Sequence, residues 1–283
     1  MPGVTSSSVQ QARHALGRRL REIRVDAGLT ARELARHADW HESKCSRLEN
    51  GRTSPSDADI RTYTALCDAL DQTADLIATA RGIEGAYIQW RRMERAGLRR
   101  VQQSVKPLFE RTHRFRAYQS WVLPGLLQTP AYTRAVLGTV AHLRDVSDDV
   151  DAAVAVRMER QRILHTGDHR FAMLVEEWVL RTVIGDHETM AGALGHLISV
   201  ASLPAVSLGI IPLGTPRGAG WPVESFTLYD DAQVNVELVS AHLTVTQPSE
   251  IADYAKAFTE LSAIAVYGTQ ARSLITAAID ALG

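Results

Sequence analysis

Apolar residues recur at helical spacing through the first 80 residues of the chain. Within residues 8–27, apolar side chains fall on one face and arginines on the other, which predicts an amphipathic helix. Shorter apolar groups predict further helices at 30–38, at 41–48 and from residue 57 onward. We therefore expect five short helices in about 75 residues, the size of one compact all-α domain.

Residues that start and stop helices stand at the boundaries of these segments. Thr30 followed by Glu33, and Ser56 followed by Asp59, have the spacing of capping boxes. Gly28 stands where a helix commonly ends in a left-handed residue. These signals agree with the apolar periodicity on where the helices lie.

From about residue 107 the pattern becomes a mixture of alternating and helical stretches. Alternation and β-branched runs predict strands at 115–123, 171–176, 205–211, 223–229, 234–239 and 242–246. Helical spacing predicts helices near 129–139, 148–165, 176–183, 186–202, 249–265 and 270–282. The three strands between residues 205 and 239 predict a small sheet packed by helices, so this part is expected to be a mixed α/β (α+β) domain.

The domain organisation expected from these patterns has three parts. Residues 1–80 form the helical domain, 81–116 a basic connecting helix or linker, and 117–283 the α/β domain, whose role is effector sensing, partner binding or dimerisation. Apolar residues from Ile83 through Tyr87 and Trp90 to Leu98 have helical spacing. This segment either adds phosphate contacts or forms a solvated connecting helix or dimer seam, and the second interpretation is preferred.

Charge is unevenly distributed along the chain, although the net charge of the whole chain is close to zero. The whole chain carries −1, but residues 1–52 carry +4, residues 81–116 carry +7 and residues 117–283 carry −8. A polyanion is therefore attracted to the first part of the chain and repelled by the last. Only 3 of the 31 basic residues are lysine, so part of the arginine excess reflects general composition.

One motif in the first domain is specific. Residues 30–55 read T-x-x-E-L-A-x-x-A-x-W-x-x-S-K-x-S-R-L-E-N-G-R-x-x-P. This pattern resembles the helix-turn-helix domain of Cro/CI-like, xenobiotic-response-element (XRE) regulators. The resemblance implies that the helix at 41–49 enters the major groove of double-stranded DNA while the helix at 30–38 crosses the backbone. The base-contacting residues implied by the resemblance are His41, Glu42, Ser43, Lys44 and Arg47.

The same resemblance implies contacts with phosphate and an internal ion pair. The phosphate-contacting residues it implies are Thr30, Arg32, Asn50, Gly51 and Arg52. Arg24 and Glu49 align with a pair that forms a buried ion bridge in relatives.

Three positions in the motif depart from the family pattern. Ala31 replaces a glutamine that usually contacts phosphate, and Asp39 replaces a frequent turn glycine, which aspartate tolerates because it can adopt the left-handed conformation. His41 replaces the usual Ser/Thr cap, so we expect either that Asp39 caps the helix or that the helix starts weakly.

A second resemblance covers the remainder of the chain. It rests on WVLPGLLQTPAY at 121–132, VRMERQRIL at 156–164 and EEWVLR at 176–181. In this order they resemble the C-terminal domain of unknown function of actinobacterial, WhiJ-like regulators, many of them antitoxin-like. Arg157, Arg160 and Arg162 in the second segment either pair with surplus acids or bind an anion, and surface ion pairs are the preferred interpretation.

Motifs for catalysis, metals and membranes are weak or missing in the sequence. The Gly-rich segment 214–220 lacks the Lys-Ser/Thr of a phosphate loop and runs into Trp221-Pro222. Cys45 and Cys67 lack metal spacing and are expected to be reduced core thiols. We expect no enzyme activity, no cofactor, no metal, no membrane span and no secretory signal, and a cytoplasmic, nucleoid-associated protein.

The function expected is a homodimeric transcriptional regulator that binds a pseudo-palindromic operator. Its C-terminal domain would receive a small-molecule or protein signal. The alternative is an antitoxin-like protein that neutralises a small partner protein encoded nearby, with DNA binding as autoregulation. A third possibility, an enzyme carrying a DNA-binding domain, needs a cluster of titratable groups that the sequence does not show.

Overall fold

A computed structural model describes residues 4–82, 87–89, 97–146, 149–218, 221–239 and 241–283. The chain divides into two compact units. The first comprises Met1–Tyr87 with Thr244–Ile251, and the second comprises Ile88–Leu243 with Ala252–Gly283.

The first unit is helical, as the periodicity predicts. Its elements are α1 (Val4–Asp26), α2 (Ala31–His37), α3 (Glu42–Glu49), α4 (Asp57–Leu66), a 3-10 turn (Leu70–Gln72) and α5 (Thr73–Gly82). Capping boxes are present at Thr30–Glu33 and Ser56–Asp59. Gly28 has φ 71°, the left-handed conformation expected where α1 ends. The all-α N-terminal domain is therefore confirmed.

The core of the first unit is formed by one stripe from each helix. Its buried side chains are Leu16, Leu20, Ile23, Leu34, Ala35, Cys45, Ile60, Tyr63, Cys67, Ala69, Leu76 and Ile77. Two glycines let α1 approach the end of α3 closely. A Cβ on Gly17 would lie 2.4 Å from the Glu49 carbonyl oxygen, and one on Gly51 would lie 2.8 Å from the Arg13 backbone. Gly51 also has φ 63°, which disfavours any side chain.

A buried polar network crosses this core and is centred on Glu49. The Arg24 guanidinium donates to both carboxylate oxygens, Nε to Oε1 at 2.7 Å and Nη2 to Oε2 at 2.9 Å. The Tyr63 hydroxyl donates to Oε1 at 2.6 Å and the Cys45 thiol donates to Oε1 at 3.2 Å. Arg24 also donates to the Leu29 carbonyl at 2.7 Å. The network therefore joins α1, α3, α4 and the loop after α1.

The ionisation of Glu49 is fixed by its partners. Burial raises the pKa of its carboxyl, but the hydrogen bonds from Arg24, Tyr63 and Cys45 lower it by more, so the pKa lies below its ordinary value. Burial and the Glu49 carboxylate together raise the pKa of the Tyr63 hydroxyl and of the Cys45 thiol, the latter to about 12. At neutral pH the network therefore consists of the Glu49 carboxylate, the Arg24 cation and two neutral hydrogen-bond donors, the Tyr63 hydroxyl and the Cys45 thiol.

The second unit contains most of the sheet and the remaining helices. Its elements are α6 (Leu98–Ser104), α7 (Lys106–Arg111), β2 (Arg114–Gln119), a 3-10 turn (Gly125–Leu127), α8 (Pro130–Arg144), α9 (Val150–Arg160), a 3-10 turn (Gln161–Leu164), β3 (Arg170–Glu176), α10 (Glu177–Arg181), α11 (His187–Val200), β4 (Val206–Ile211), β5 (Phe226–Tyr229), β6 (Gln233–Glu237) and α13 (Gly268–Asp280). Three elements meet or cross the unit boundary: β1 (Tyr87–Gln89), β7 (Ala241–Val245) and α12 (Pro248–Ala263).

The sheet is mixed and has the strand order β1-β7-β6-β5-β2-β3-β4. Strand β2 pairs in parallel with β3, and β3 in parallel with β4. On its other side β2 pairs antiparallel with β5, which pairs antiparallel with β6. Buried side chains from the sheet and from helices α8, α11 and α13 form the main core. The α+β arrangement is therefore confirmed.

Two details of the sheet differ from the sequence-based predictions. Strand β4 is not next to β5, because β2 and β3 lie between them. Residues 87–89 form strand β1 instead of part of a helix, because hydrogen bonding to β7 outweighs the helical spacing. Of the rest of the predicted connecting helix, residues 83–86 and 90–96, including Ile83, Trp90 and Met93, lie outside the described residues, and Leu98 begins α6.

We predict that Glu49→Gln destabilises the full chain by about 3–5 kcal/mol, because Arg24 is left buried without a counter-charge. Because the pKa of Glu49 is lowered in the folded state, its contribution to the free energy of unfolding is complete above the ordinary pKa of a carboxyl group. The contribution is lost as pH falls through the lowered value in the folded state. Urea unfolding from pH 7 to pH 3 measures both effects.

The matched control for this prediction is Glu22→Gln. Glu22 pairs with Arg19 on the exposed surface of α1, so its loss should cost under about 1 kcal/mol. Equal effects of the two substitutions would contradict the role given to the network.

Candidate nucleic-acid interface

Helices α2 and α3 are joined by a short, tightly bonded turn. Asp39 has φ 55°, so aspartate adopts the left-handed conformation where the family pattern has glycine. The Trp40 N–H donates to the Ala35 carbonyl at 2.8 Å. Leu34 and Ala35 of α2 and Cys45 and Leu48 of α3 are buried, which fixes both helices on the core.

One face of α3 is exposed while the opposite face is buried. Cys45, Leu48 and Glu49 point into the unit. The exposed residues are Glu42, Ser43, Ser46, Arg47 and, directly after the helix, Asn50. Residues 42, 46 and 50 are four residues apart, as are residues 43 and 47, so the two adjacent rows share one face. Ser46 belongs to this face although it was not among the predicted contacts.

His41 caps α3 with its own side chain. Its Nδ1 accepts from the Ser43 N–H at 3.3 Å and lies 2.8 Å from the Ser43 hydroxyl oxygen. The expectation that Asp39 caps the helix is therefore wrong, because His41 itself is the N-cap, and the alternative of a weakly starting helix stays a prediction. Imidazole nitrogen is an acceptor that cap rules based on Ser, Thr, Asp and Asn do not include.

Lys44 is engaged inside the unit. Its Nζ lies 2.6 Å from Asp59 Oδ1 and 4.3 Å from the centre of the Trp40 ring. Burial raises the pKa of Asp59, but hydrogen bonds from Lys44 and Ser56 bring it below its ordinary value. Lys44 thus links α3 to the start of α4 and supplies local positive charge, while its contact with a base stays a prediction.

Several predicted phosphate ligands already make hydrogen bonds within the unit. The Thr30 hydroxyl accepts from the Glu33 N–H at 3.2 Å. The Asn50 side-chain amide donates to the Ser46 carbonyl at 2.7 Å, and the Gly51 N–H donates to the Leu48 carbonyl at 3.0 Å. These residues shape the ends of the two helices, and their phosphate contacts stay predictions.

The exposed arginines beside these helices lack ionic partners. Within the described part of the chain, no ion pair is formed by Arg32 and Arg36 of α2, by Arg47 of α3 or by Arg52. Arg36 was missed by the sequence reasoning, although its spacing of four from Arg32 places both on one face of α2. These four exposed guanidinium groups on α2, on α3 and just after α3 are therefore free of internal ion pairs among the described residues, and guanidinium groups bind phosphate oxygens well.

Comparison with known families agrees with this architecture. Residues 15–80 match the family model of a helix-turn-helix domain, the class of fold found in DNA-binding regulators. Residues 108–277, more than half of the chain, match the family described as Domain of unknown function (DUF5753), and the chain belongs to that family. No curated protein and no solved structure matches the chain.

Metal-binding clusters and membrane-spanning helices are both absent from the described ranges. No group of three or more His, Cys, Asp or Glu side chains there is placed to hold a metal ion. None of the helices described has the length and apolar character needed to cross a bilayer. Both cysteines are free thiols, and burial raises the pKa of Cys67 to about 11.

We predict that His41→Ala lowers the free energy of unfolding by about 0.5–2 kcal/mol, because the first turn of α3 loses its cap. His41→Ser restores an acceptor at the same position and should recover most of that loss. Chemical denaturation of the full-length variants measures the difference. Unchanged stability of the Ala variant relative to the original protein would show that the imidazole does not act as a cap.

Proposed function

We propose that the protein is a sequence-specific transcriptional regulator of the XRE, Cro/CI-like type that binds double-stranded DNA through α3. The observation that carries the proposal is the division of α3 into a buried face and an exposed polar face flanked by unpaired arginines. A helix of this kind fits the major groove, where Arg47 can bind guanine O6 and N7 and Glu42 can accept from cytosine N4. Because it acts on DNA, we place the protein in the cytoplasm with the nucleoid.

The neighbouring residues would fix the helix on the backbone. Arg32 and Arg36 lie on α2, the helix that crosses the backbone in this type of complex, and Arg52 lies three residues after the end of α3. Thr30, Asn50 and Gly51 would add polar contacts to phosphate. We assign base contacts to His41, Glu42, Ser43 and Arg47, with Lys44 close enough to contribute charge.

We further propose that two copies bind a pseudo-palindrome and that the DUF5753 region receives a small-molecule or protein signal. A single helix-turn-helix reads few base pairs, and dimers of this class read two half-sites one helical turn apart. The WhiJ-like, actinobacterial kinship inferred from the sequence motifs supports a regulatory role for the C-terminal region. We propose no catalytic activity for the chain.

An antitoxin-like role is the second candidate. It requires an exposed surface for a small partner protein, and the second unit exposes large apolar side chains. The exposed fraction is 68% for Trp121 and 76% for Trp221. Such side chains are common at protein interfaces.

We predict that Arg47→Ala weakens binding to the cognate site by about 1–3 kcal/mol and relaxes base preference, because a base contact is lost. Arg52→Ala should instead weaken binding to all sequences alike and reduce the salt slope by about 1. Sites selected from random DNA, followed by titrations at several salt concentrations, test both variants. Unchanged cognate binding by Arg47→Ala would place α3 outside the major groove.

We predict that the selected sites contain two half-sites with centres about 10–10.5 base pairs apart, bound by two chains. Inserting five base pairs between them should abolish binding by the dimer, because one half-site rotates to the opposite side of the duplex. Mass measurement of the full chain with and without DNA gives the stoichiometry. A chain that stays monomeric on DNA and binds the product of an adjacent reading frame would favour the antitoxin-like role.

A further inference from the structure

The second unit contains a cavity of about 240 Å³ between one face of the sheet and the helices that cover it. Its apolar wall includes Phe109, Phe115, Leu123 and Val140. Its sheet side carries polar groups from two neighbouring strands, Thr227 and Tyr229 of β5 and Asn235 of β6. Thr227 and Asn235 are direct partners in the β5–β6 register, so they lie on the same face of the sheet.

Two arginines of α9 lie on the helical side of this cavity. Arg157 and Arg160 are three residues apart, so they lie on one face of the helix. Arg157 donates from Nε to Gln102 Oε1 at 3.1 Å and from Nη1 to Gln128 Oε1 at 3.0 Å. Arg160 donates to the backbone and side-chain oxygens of Gln102, both at 3.2 Å, and stacks 4.5 Å from the centre of the Phe109 ring.

Neither arginine has a carboxylate partner in the described part of the chain. The preferred interpretation from sequence, surface ion pairs, is therefore wrong for Arg157 and Arg160, whose partners are neutral carboxamides. The Nε of Arg160 is buried without an acceptor, and the Nη2 of Arg157 makes no hydrogen bond to a described residue. Donors of this kind in an interior normally find an acceptor.

The cavity is electropositive. Arg157 and Arg160 line it, and the one acidic residue in its lining, Glu237, is exposed and offsets part of the charge of Arg157. Burial lowers the pKa of Arg160, and the neighbouring Arg157 lowers it further. Partly buried guanidinium groups whose hydrogen-bond partners are neutral carboxamides are costly, so an anion entering this space would relieve that cost.

We propose that this cavity binds a small amphipathic anion, with its oxyanion group held by Arg157 and Arg160 and its apolar body against Phe109 and Phe115. Guanidinium groups bind carboxylate and phosphate oxygens through paired N–H donors, and the Nη groups of both arginines carry N–H donors beyond those bonded to Gln102 and Gln128. Tyr229 and Asn235 supply further polar contacts from the sheet. The site defines the chemical class of ligand for the signal-reception role proposed above. Only the regulatory consequence of binding rests on that proposed role.

The bound anion would connect elements that lie at the start of the second unit. Arg157 and Arg160 are joined through Gln102 to α6 and through Gln128 to the residues before α8. Helix α6 begins at Leu98, where the N–H groups of Leu98 and Arg99 donate to Asp149 at 2.9 Å. A bound anion would therefore act on α6 through Gln102. Helix α6 is one of the first elements of the second unit after residues 90–96.

The test uses matched acids and neutral amides on the full-length protein. The pairs are phenylacetate with phenylacetamide and hexanoate with hexanamide, and phenyl phosphate separates a phosphate from a carboxylate site. We expect at least one anion to raise Tm by several degrees at about 100 times its Kd, and its neutral counterpart to raise Tm far less. No binding by any anion, or equal binding of acid and amide, would overturn the proposal.

Variants locate the binding site. Arg160→Gln and Arg157→Gln should each weaken binding of the anion at least tenfold, whereas Arg162→Gln should not change it, because Arg162 is exposed on the following turn. Val140→Trp fills the apolar wall without altering either guanidinium, and it should also abolish binding. Binding that survives both the Gln and the Trp substitutions would overturn the assignment.

DNA titrations separate this proposal from the proposed function. Arg160→Gln should lose the anion but keep Arg47-dependent DNA binding, and Arg47→Ala should lose DNA specificity but keep the anion. An anion that binds in the cavity without changing DNA affinity leaves the site standing and contradicts the signal-reception role. Failure of anion binding with intact DNA recognition contradicts only the site.

Discussion

The orientation of α3 depends on the buried carboxylate of Glu49. It receives hydrogen bonds from Arg24 of α1, Tyr63 of α4 and Cys45 of α3 itself. Rotation of α3 about its axis would withdraw the carboxylate from these donors and leave Arg24 uncompensated, at a cost of several kcal/mol. Because the buried and exposed faces of a helix are rigidly related, the same network directs Arg47 outward. The internal ion pair thus sets which face of α3 is exposed.

The cationic side chains discussed for the first unit form two groups, those in an internal ion pair and those without one. Arg24 is neutralised by Glu49, and Lys44 is paired with Asp59 while contacting Trp40. Both hold helices together. The exposed arginines of α2 and α3 remain hydrated and unpaired, so binding phosphate replaces water and counterions without breaking an internal bond. The cations that hold the helices together and the exposed, unpaired arginines are therefore distinct sets, although they lie close together in the sequence.

Local signals in the sequence predicted local structure well. The capping boxes at Thr30 and Ser56 and the spans of most helices and strands need only neighbouring residues, and the structure contains them. The sequence-based predictions that were wrong concern features that depend on partners distant in sequence or on unusual chemistry. The place of β4 in the sheet is decided by pairing with β3, and β1 by pairing with β7. The cap at His41 uses an imidazole, and the surroundings of Arg157 come from Gln102 and Gln128, 55 and 29 residues away.

The two arginines of α9 pose a different energetic problem from those of α2 and α3. A solvated guanidinium needs no partner, but one in an interior cavity does, and carboxamide oxygens compensate only part of its lost hydration. Replacing such groups with well-packed apolar residues is often neutral or stabilising, so fold stability alone gives little reason to place them there. A ligand supplies that reason, because a bound oxyanion turns an unfavourable pair of cations into two charge-assisted contacts. A bound oxyanion therefore explains the position of Arg157 and Arg160 better than fold stability does.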